Sequence, residues 1–573
     1  MRWLLLLSLV SSTAFGADFL KPCHIPGLKD TAKCGTFEVW ENRDAKAGRR
    51  IGLKVIVLPA TGSPRASDAI TFLGGGPGDA VTEETAYIAQ DFAALRAHRD
   101  IVLVDQRGTG GSHALVCDLY PGKDAQTALG AFFPAERVRE CRAAIEKNAD
   151  VRMYTTAAAI DDLDDVRAAL GYDRLDLVGG SYGTRAALTY LRRHPEHARV
   201  AVLEGVAPTT KPMPLYFPRS AQNAIERIFD ECAADAACHA AFPALRGDLR
   251  AIVATTAAKP VPVNVLNPKT GDTVRVTLSR DLLAEALRYL MYQSATGLYV
   301  PTLVHQAAGG DFGPLAEFAL NSRLQLVNGL GTGLYLSVTC AEDLPFIDAA
   351  DAERVAANTF LGDYRYLQQR AACDAWASGA AAPHMREPVR SQTPVLLVSG
   401  AWDPVTPASD AMEAAATLPH SLSIVVPAGG HGYNGVPGAE ECAARIETQF
   451  IERGSVDGVD TGCVARLHRQ PFPTKPVDTK PVALTAEQLR ALTGHYVGDK
   501  TPPFDIISEN GKLFRQVAGE GEPRILLVPV SPTRLRILGR FGNYLDFNVE
   551  NGRAAGVTLQ RSGATTLTWK RSG

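Results

Sequence analysis

The feature that most constrains this chain is a strand forced to turn sharply into a helix at Ser181. Leu175 to Val178 is a short apolar run of the kind that parallel sheets bury on both faces. Gly179-Gly180-Ser181-Tyr182-Gly183 follows it, and Arg185 to Leu191 then has helix-forming composition. The G-x-S-x-G spacing puts small residues where the backbone turns tightly and lifts the serine hydroxyl above the edge of a sheet. A bare G-x-S-x-G arises easily in a chain with 51 glycines, so the flanking strand and helix give it its weight. The same alternation continues on both sides. Ala69 to Leu73, Ile101 to Val104, Val200 to Leu203, Val395 to Val398 and Leu422 to Val426 read as buried strands. Thr155 to Leu170 reads as a helix, with Ile160, Leu163, Val166 and Leu170 at helical spacing and Gly171 as its stop. The predicted class is α/β, a mostly parallel sheet with helices on both faces.

The rest of the chain is organised around that sheet. From Pro208 to about Pro388 the strand rhythm stops and the composition becomes Ala- and Leu-rich and helical. An insertion there would lie over the carboxyl ends of the strands, where open α/β sheets place ligands, so 208–388 is expected to form a helical cap. The core is then split into 17–207 and 389–463. A proline-rich linker, 464–482, leads to a small all-β domain, 483–573, marked by the hairpin signals Asn510-Gly511 and Asn551-Gly552 and a final strand at Thr565 to Trp569.

Residues 1–16 have the pattern of an export signal: Arg2, the apolar run Trp3 to Val10, and Ala14-Phe15-Gly16 before Ala17. The run is too short to span a bilayer, so a periplasmic or extracellular protein without stable membrane insertion is expected. Ten cysteines agree with an oxidising compartment. The simplest pairing joins neighbours: Cys23/Cys34, Cys117/Cys141, Cys232/Cys238, Cys340/Cys373 and Cys442/Cys463. No C-x-x-C or H-E-x-x-H occurs, and neither a metal nor another cofactor is expected. A net charge of −3 gives no electrostatic case for nucleic acid.

A serine hydroxyl is a weak nucleophile without a base, and the base needs an orienting acid. In a sheet of this kind the acid and the histidine follow the serine in that order. Val395 to Gly400 runs into Ala401-Trp402-Asp403-Pro404-Val405-Thr406-Pro407, and the next strand ends in Ala428-Gly429-Gly430-His431-Gly432. Ser181, Asp403 and His431 are therefore the candidate catalytic residues. Tyr182 N–H is a candidate oxyanion donor, and Leu73-Gly74-Gly75-Gly76-Pro77-Gly78 supplies the second, with Gly75 chosen over Gly76. Asp105-Gln106-Arg107-Gly108 reads as a structural brace in which Arg107 and Asp105 pair near the site. A carboxylate nucleophile, as dehalogenase or epoxide-hydrolase chemistry needs, is absent at position 181.

Taken together, G-G-G-P-G, D-Q-R-G-x-G-x-S, G-G-S-Y-G-T, G-x-x-D-x-x-T-P and G-G-H-G resemble the prolyl and tripeptidyl aminopeptidase family over roughly Phe37 to Cys463. The resemblance implies an α/β-hydrolase fold with an inserted helical cap, and metal-free aminopeptidase activity on peptides with a free amino terminus. Gly74 stands where prolyl iminopeptidases carry the histidine of H-G-G-P-G, which places the chain nearer the exported tripeptidyl branch. The C-terminal domain is similar to small β-barrel modules of some secreted serine hydrolases. Acids of the cap or its entrance hold the substrate amine in such enzymes, and Glu204, Glu342 and Asp343 are the candidates here. The rival readings are an esterase for small acyl esters and a non-catalytic binding protein on the same scaffold.

Overall fold

The computed structural model describes residues 19–572, apart from Lys29, Lys123, Asn434, 499–500, 518–523 and 562–565. The expected export signal, residues 1–16, lies outside the described residues, as does Thr565 of the expected last strand. The central sheet is formed by β1 (Leu20–Cys23), β2 (Ala32–Trp40), β3 (Arg50–Leu58), β4 (Ala69–Leu73), β5 (Asp100–Val104), β6 (Leu175–Gly180) and β7 (Ala198–Glu204). After a cap hairpin of β8 (Val261–Leu266) and β9 (Thr273–Leu278), it is completed by β10 (Val395–Gly400) and β11 (Ser421–Val426). The order is β1-β2-β3-β5-β4-β6-β7-β10-β11. Every pairing from β5 to β11 is parallel, and the three that add β1 to β3 are antiparallel. Alternate residues feed two cores. Ala201 and Leu203 of β7 enter one, while Val200 and Val202 enter the other. This is the α/β-hydrolase fold that the strand–helix rhythm implied.

The chain leaves the sheet after β7 and returns to it at β10, which pairs with β7 in parallel. Between them lie helices from Phe217–Ala234 to Tyr364–Ala375. This stretch, expected to be mostly helical, also contains an antiparallel hairpin, β8 and β9. Val263 and Val265, and Val274 and Val276, alternate with polar residues, and the run is short enough to disappear beside long helical stretches.

The residues after Cys463 also differ from a free linker. Phe472 is buried, stacked on Trp402 at 6.1 Å and under Arg469 at 4.1 Å. Val477 N–H donates to Gln306 at 3.0 Å. The proline-rich stretch is thus a strap along the molecule, fixed by an aromatic side chain whose burial contributes about 1.5–3 kcal/mol. Beyond it, eight antiparallel strands from Gly494–Val497 to Leu567–Ser572 close into a barrel filled by Tyr496, Phe504, Leu513, Leu545 and Trp569. The barrel sits on the cap. Arg536 grips both carboxylate oxygens of buried Glu317, and Leu266 of the cap hairpin joins Phe514, Leu526 and Leu538 of the barrel.

Five disulfides join the neighbouring cysteines: Cys23–Cys34, Cys117–Cys141, Cys232–Cys238, Cys340–Cys373 and Cys442–Cys463. Among the described residues, no helix is long and apolar enough to cross a membrane.

Candidate active site

Ser181 sits between β6 and the helix Tyr182–Arg193 with φ 55 and ψ −120, a region that side-chain-bearing residues seldom adopt. The flanking glycines explain how the turn closes. A Cβ at Gly183 would run into the Leu73 carbonyl, and one at Gly179 into the Gly183 carbonyl. Ser181 N–H is fixed to the Glu204 carbonyl at 2.8 Å, which locks the turn to the end of β7.

Asp403 and His431 follow β10 and β11, so all three candidate residues project from the carboxyl edge of one parallel sheet. His431 Nδ1 lies 2.9 Å from Asp403 Oδ2. The other Asp403 oxygen accepts Val405 N–H at 2.8 Å and Thr406 N–H at 2.9 Å, and the Thr406 hydroxyl donates to Oδ2 at 2.9 Å. Burial works to raise the Asp403 pKa. The adjacent imidazole and the backbone donors outweigh it and hold the carboxyl below the usual carboxylate range. The backbone N–H of His431 donates to the Tyr292 carbonyl at 2.8 Å, and the Tyr292 ring meets the imidazole edge-on at 5.1 Å. A Cβ on Gly205 would lie 3.2 Å from His431 Cε1, so Ser181 and His431 flank the same Glu204–Gly205 turn.

The glycine loop after β4 reaches the serine. A Cβ on Gly75 would stand 3.5 Å from Ser181 Cβ and 2.9 Å from Asp79 Oδ2. Gly76 has φ +102 and packs against Leu330 of the cap. The Tyr182 side chain points inward, and its hydroxyl lies 2.7 Å from Thr156 Oγ1.

The candidate amine-holding acids are all engaged elsewhere. Glu342 accepts Thr156 N–H at 2.7 Å and the Thr156 hydroxyl at 2.6 Å, and is fully buried. Burial, more than the nearby Asp343 charge, pushes it up to about 7. Asp343 Oδ1 takes Arg185 at 2.8 Å, Met213 N–H at 2.9 Å and Arg386 at 2.5 Å. Glu204, expected beneath the cap, instead turns to the core helix Ala439–Arg453, where Glu447 shares a hydrogen bond with it. Burial and the second carboxyl push that pair up, so that it retains a proton.

The pairing of Arg107 with Asp105 is also corrected. Arg107 grips Asp162 through Nε at 2.6 Å and Nη2 at 2.8 Å, and reaches the carbonyls of Glu41 and Met153. Asp105 accepts Thr82 N–H, the Thr82 hydroxyl and Gly111 N–H. Both residues brace the loops, but each against a different element.

Three further residues belong to the site and are not singled out by the sequence reasoning. Thr406, in contact with both Asp403 and His431, lies in the D-x-x-T-P motif, and that motif is the signal that marks it. Asp79 follows the glycine loop directly. Its carboxylate takes a hydrogen bond from the Gly75 backbone, and burial raises it to about 6. Tyr292 belongs to the cap and has no local signal. One grouping of possible metal ligands occurs among the described residues, Asp164, His194 and His197, at the far end of the Tyr182–Arg193 helix from Ser181. Arg167 donates to His197 there at 3.0 Å, placing a fixed cation where a metal would compete.

Residues 68–240 match the family model described as alpha/beta hydrolase fold, and residues 358–463 match one described as TAP-like protein. The serine protease Hip1 of Mycobacterium tuberculosis is 32% identical over 235 residues, covering 37% of this chain and 43% of that protein. A tripeptidyl aminopeptidase of Streptomyces lividans is 28% identical over 200 residues, covering 31% of this chain and 36% of that protein. The chain thus spans less than half the length of these curated relatives. The crystal structure of a proline iminopeptidase from Mycobacterium smegmatis is 16% identical and covers 73% of this chain and 98% of that one, with a TM-score of 0.33.

Proposed function

We propose, for a chain that belongs to the α/β-hydrolase family and carries a TAP-like segment, the role of an exported serine aminopeptidase that releases short amino-terminal fragments from peptides. The observation that carries this is the 2.9 Å contact of His431 with Asp403 at the sheet edge where Ser181 is held in its strained turn. Ser181 Oγ attacks the scissile carbonyl, and His431 takes the hydroxyl proton. Asp403 fixes the imidazole through Nδ1 and stabilises the imidazolium that forms. Tyr182 N–H and an N–H of the Gly75–Gly76 pair receive the oxyanion. The proton on His431 passes to the departing amine, and water then releases the acyl fragment along the reverse path.

The peptidase reading, rather than an esterase, is supported by the serine protease and tripeptidyl aminopeptidase among the relatives. Recognition of a chain end needs a carboxylate with no cation of its own, because the substrate ammonium must complete the pair. Asp79, beside Gly75 and Ser181, has no cation partner among the described residues and meets that condition. Glu342 and Asp343 serve instead as the buried seam between cap and core. Export is supported by the leader pattern at residues 1–16 and by five disulfides. A fluorophosphonate should label the wild type and not Ser181→Ala, and chromogenic aminoacyl, dipeptidyl and tripeptidyl amides should be cleaved only with a free amine. Equal cleavage of blocked and free peptides, with esters turned over faster than either, would replace this reading by the esterase.

A further inference from the structure

Two buried arginines of the cap have no carboxylate partner among the described residues. Arg288 and Arg365 are 1% and 3% exposed, yet neither forms an ion pair among the described residues. Arg288 donates to the Tyr292 hydroxyl at 2.9 Å, and Arg365 to the Tyr335 hydroxyl at 3.3 Å. Their faces are covered by rings, with Phe217 4.2 Å from Arg288 and Phe132 3.7 Å from Arg365. The edges are not. Arg288 Nε, Arg365 Nε and Arg365 Nη1 are buried without a hydrogen-bond acceptor among the described residues. Glu285, the carboxylate that acts on Arg365, is already held by Arg323 at 2.5 Å and by the Tyr364 hydroxyl at 3.1 Å. Asp343 is likewise shared between Arg185 and Arg386. Stacking on an aromatic face leaves the in-plane donors of a guanidinium unsatisfied, and an unpaired buried cation is costly unless an anion completes it.

Arg288 stands near the reacting groups, and Arg365 acts on the same Tyr292 that packs against His431. Steps of 5.1 Å from the His431 ring to the Tyr292 ring, and 5.3 Å from that ring to the Arg288 guanidinium, bound the separation at about 10 Å. That is about the reach of three extended residues. Phe217, under Arg288, also shares a small cavity of about 20 Å³ with Thr406, the residue that touches Asp403 and His431. His431 delivers its proton to the departing amine, so its side of the site is the side of the leaving fragment. We infer that Arg288 and Arg365 form a carboxylate subsite for the leaving part of the substrate, so that the preferred substrates are short peptides with an anionic group within a few residues of the cleaved bond.

The inference rests on Ser181 and His431 being the reacting pair, which defines the leaving side. The carboxylate can be the peptide's own C-terminus or an acidic side chain. Calorimetry on Ser181→Ala, which needs no turnover, separates these. Tri-, tetra- and pentaalanine should bind at least about thirtyfold tighter as free acids than as C-terminal amides, at one length or more. An amide whose last residue is glutamate should recover the affinity if the side chain is the source, and should not if the terminus is. Adding Arg288→Met or Arg365→Met should remove the preference, while Arg365→Lys, which keeps the charge and much of the packing, should retain part of it. Equal binding of acid, amide and glutamyl amide at every length overturns the inference, whether or not the wild type cleaves peptides. A retained acid preference in a protein that prefers esters leaves the subsite standing and removes only the peptidase reading.

Discussion

Two fully buried carboxylates, one at the sheet edge and one at the seam beneath the cap, have opposite fates. Asp403 lies below the ordinary carboxylate range, and Glu342 is pushed up to about 7. Burial opposes the charge in both. Asp403 overcomes it with two backbone N–H donors, the Thr406 hydroxyl and the His431 imidazole. Glu342 has only Thr156, through its N–H and hydroxyl, and Asp343 beside it adds repulsion. The adjacent imidazole first, and then the aligned backbone donors, decide which acid stays ionised, rather than depth. The sheet edge therefore holds a fixed negative charge for the imidazole, and Glu342 at the seam keeps its proton up to about pH 7.

The contrast is broken most severely at the sheet edge. Ser181→Ala and His431→Ala should each lower kcat by roughly 10⁴-fold or more, and Asp403→Asn by somewhat less, with the folded state retained by circular dichroism. Undiminished turnover in any of them removes that residue from the chemistry.

A smaller effect is expected from N-acetylation of a good peptide substrate, which should lower kcat/KM by about a hundredfold at pH 8. Asp79 titrates near 6, so its charge is present above that pH and lost below it. The penalty for acetylation should accordingly shrink as the pH falls through about 6, and Asp79→Asn should abolish it at every pH. A penalty that persists in Asp79→Asn would remove Asp79 from recognition of the amine.

Smaller still is the expected change at the seam. Glu342→Gln keeps an acceptor for Thr156 and should alter kcat by less than about tenfold, far from the loss at Asp403. Its thermal signature should be distinctive. The folded pKa of Glu342 is raised, so its contribution to stability is whole below the ordinary glutamate range and is lost as the pH rises through about 7. The Tm of Glu342→Gln relative to wild type should therefore rise between pH 5 and pH 8, and a constant difference in scans at one heating rate would contradict the raised pKa. The least effect of all is expected from EDTA, which should leave peptide turnover unchanged.

The parts of the molecule legible in the sequence are those written in short stretches. Ser181, Asp403 and His431 each stand directly after an apolar strand, so their position at one sheet edge follows from neighbours within about ten residues. Gly171 as a helix stop is legible for the same reason, whereas the five disulfides, 6 to 33 residues apart, follow the simplest pairing of neighbours rather than any local signal. The fates of the acids are not. Glu342 finds Thr156 at a separation of 186 residues, Asp343 finds Arg185 at 158, and Arg107 finds Asp162 at 55. Nothing near these residues in the chain says which long-range partner will neutralise them. The strap at Phe472 is hidden similarly, since its proline-rich surroundings suggest a linker until Trp402 offers a ring to stack on.

The sequence by itself determined the sheet, the inserted cap, the turn at Ser181 and the order in which acid and histidine follow it, because backbone sterics and apolar periodicity act over a few residues. Only the tertiary structure decided which buried carboxylates stay charged, which cap arginines lack an ion pair among the described residues, and how the barrel holds the cap. Those outcomes depend on desolvation and on donors brought together from distant segments, and that is a property of packing, not of any local run of residues.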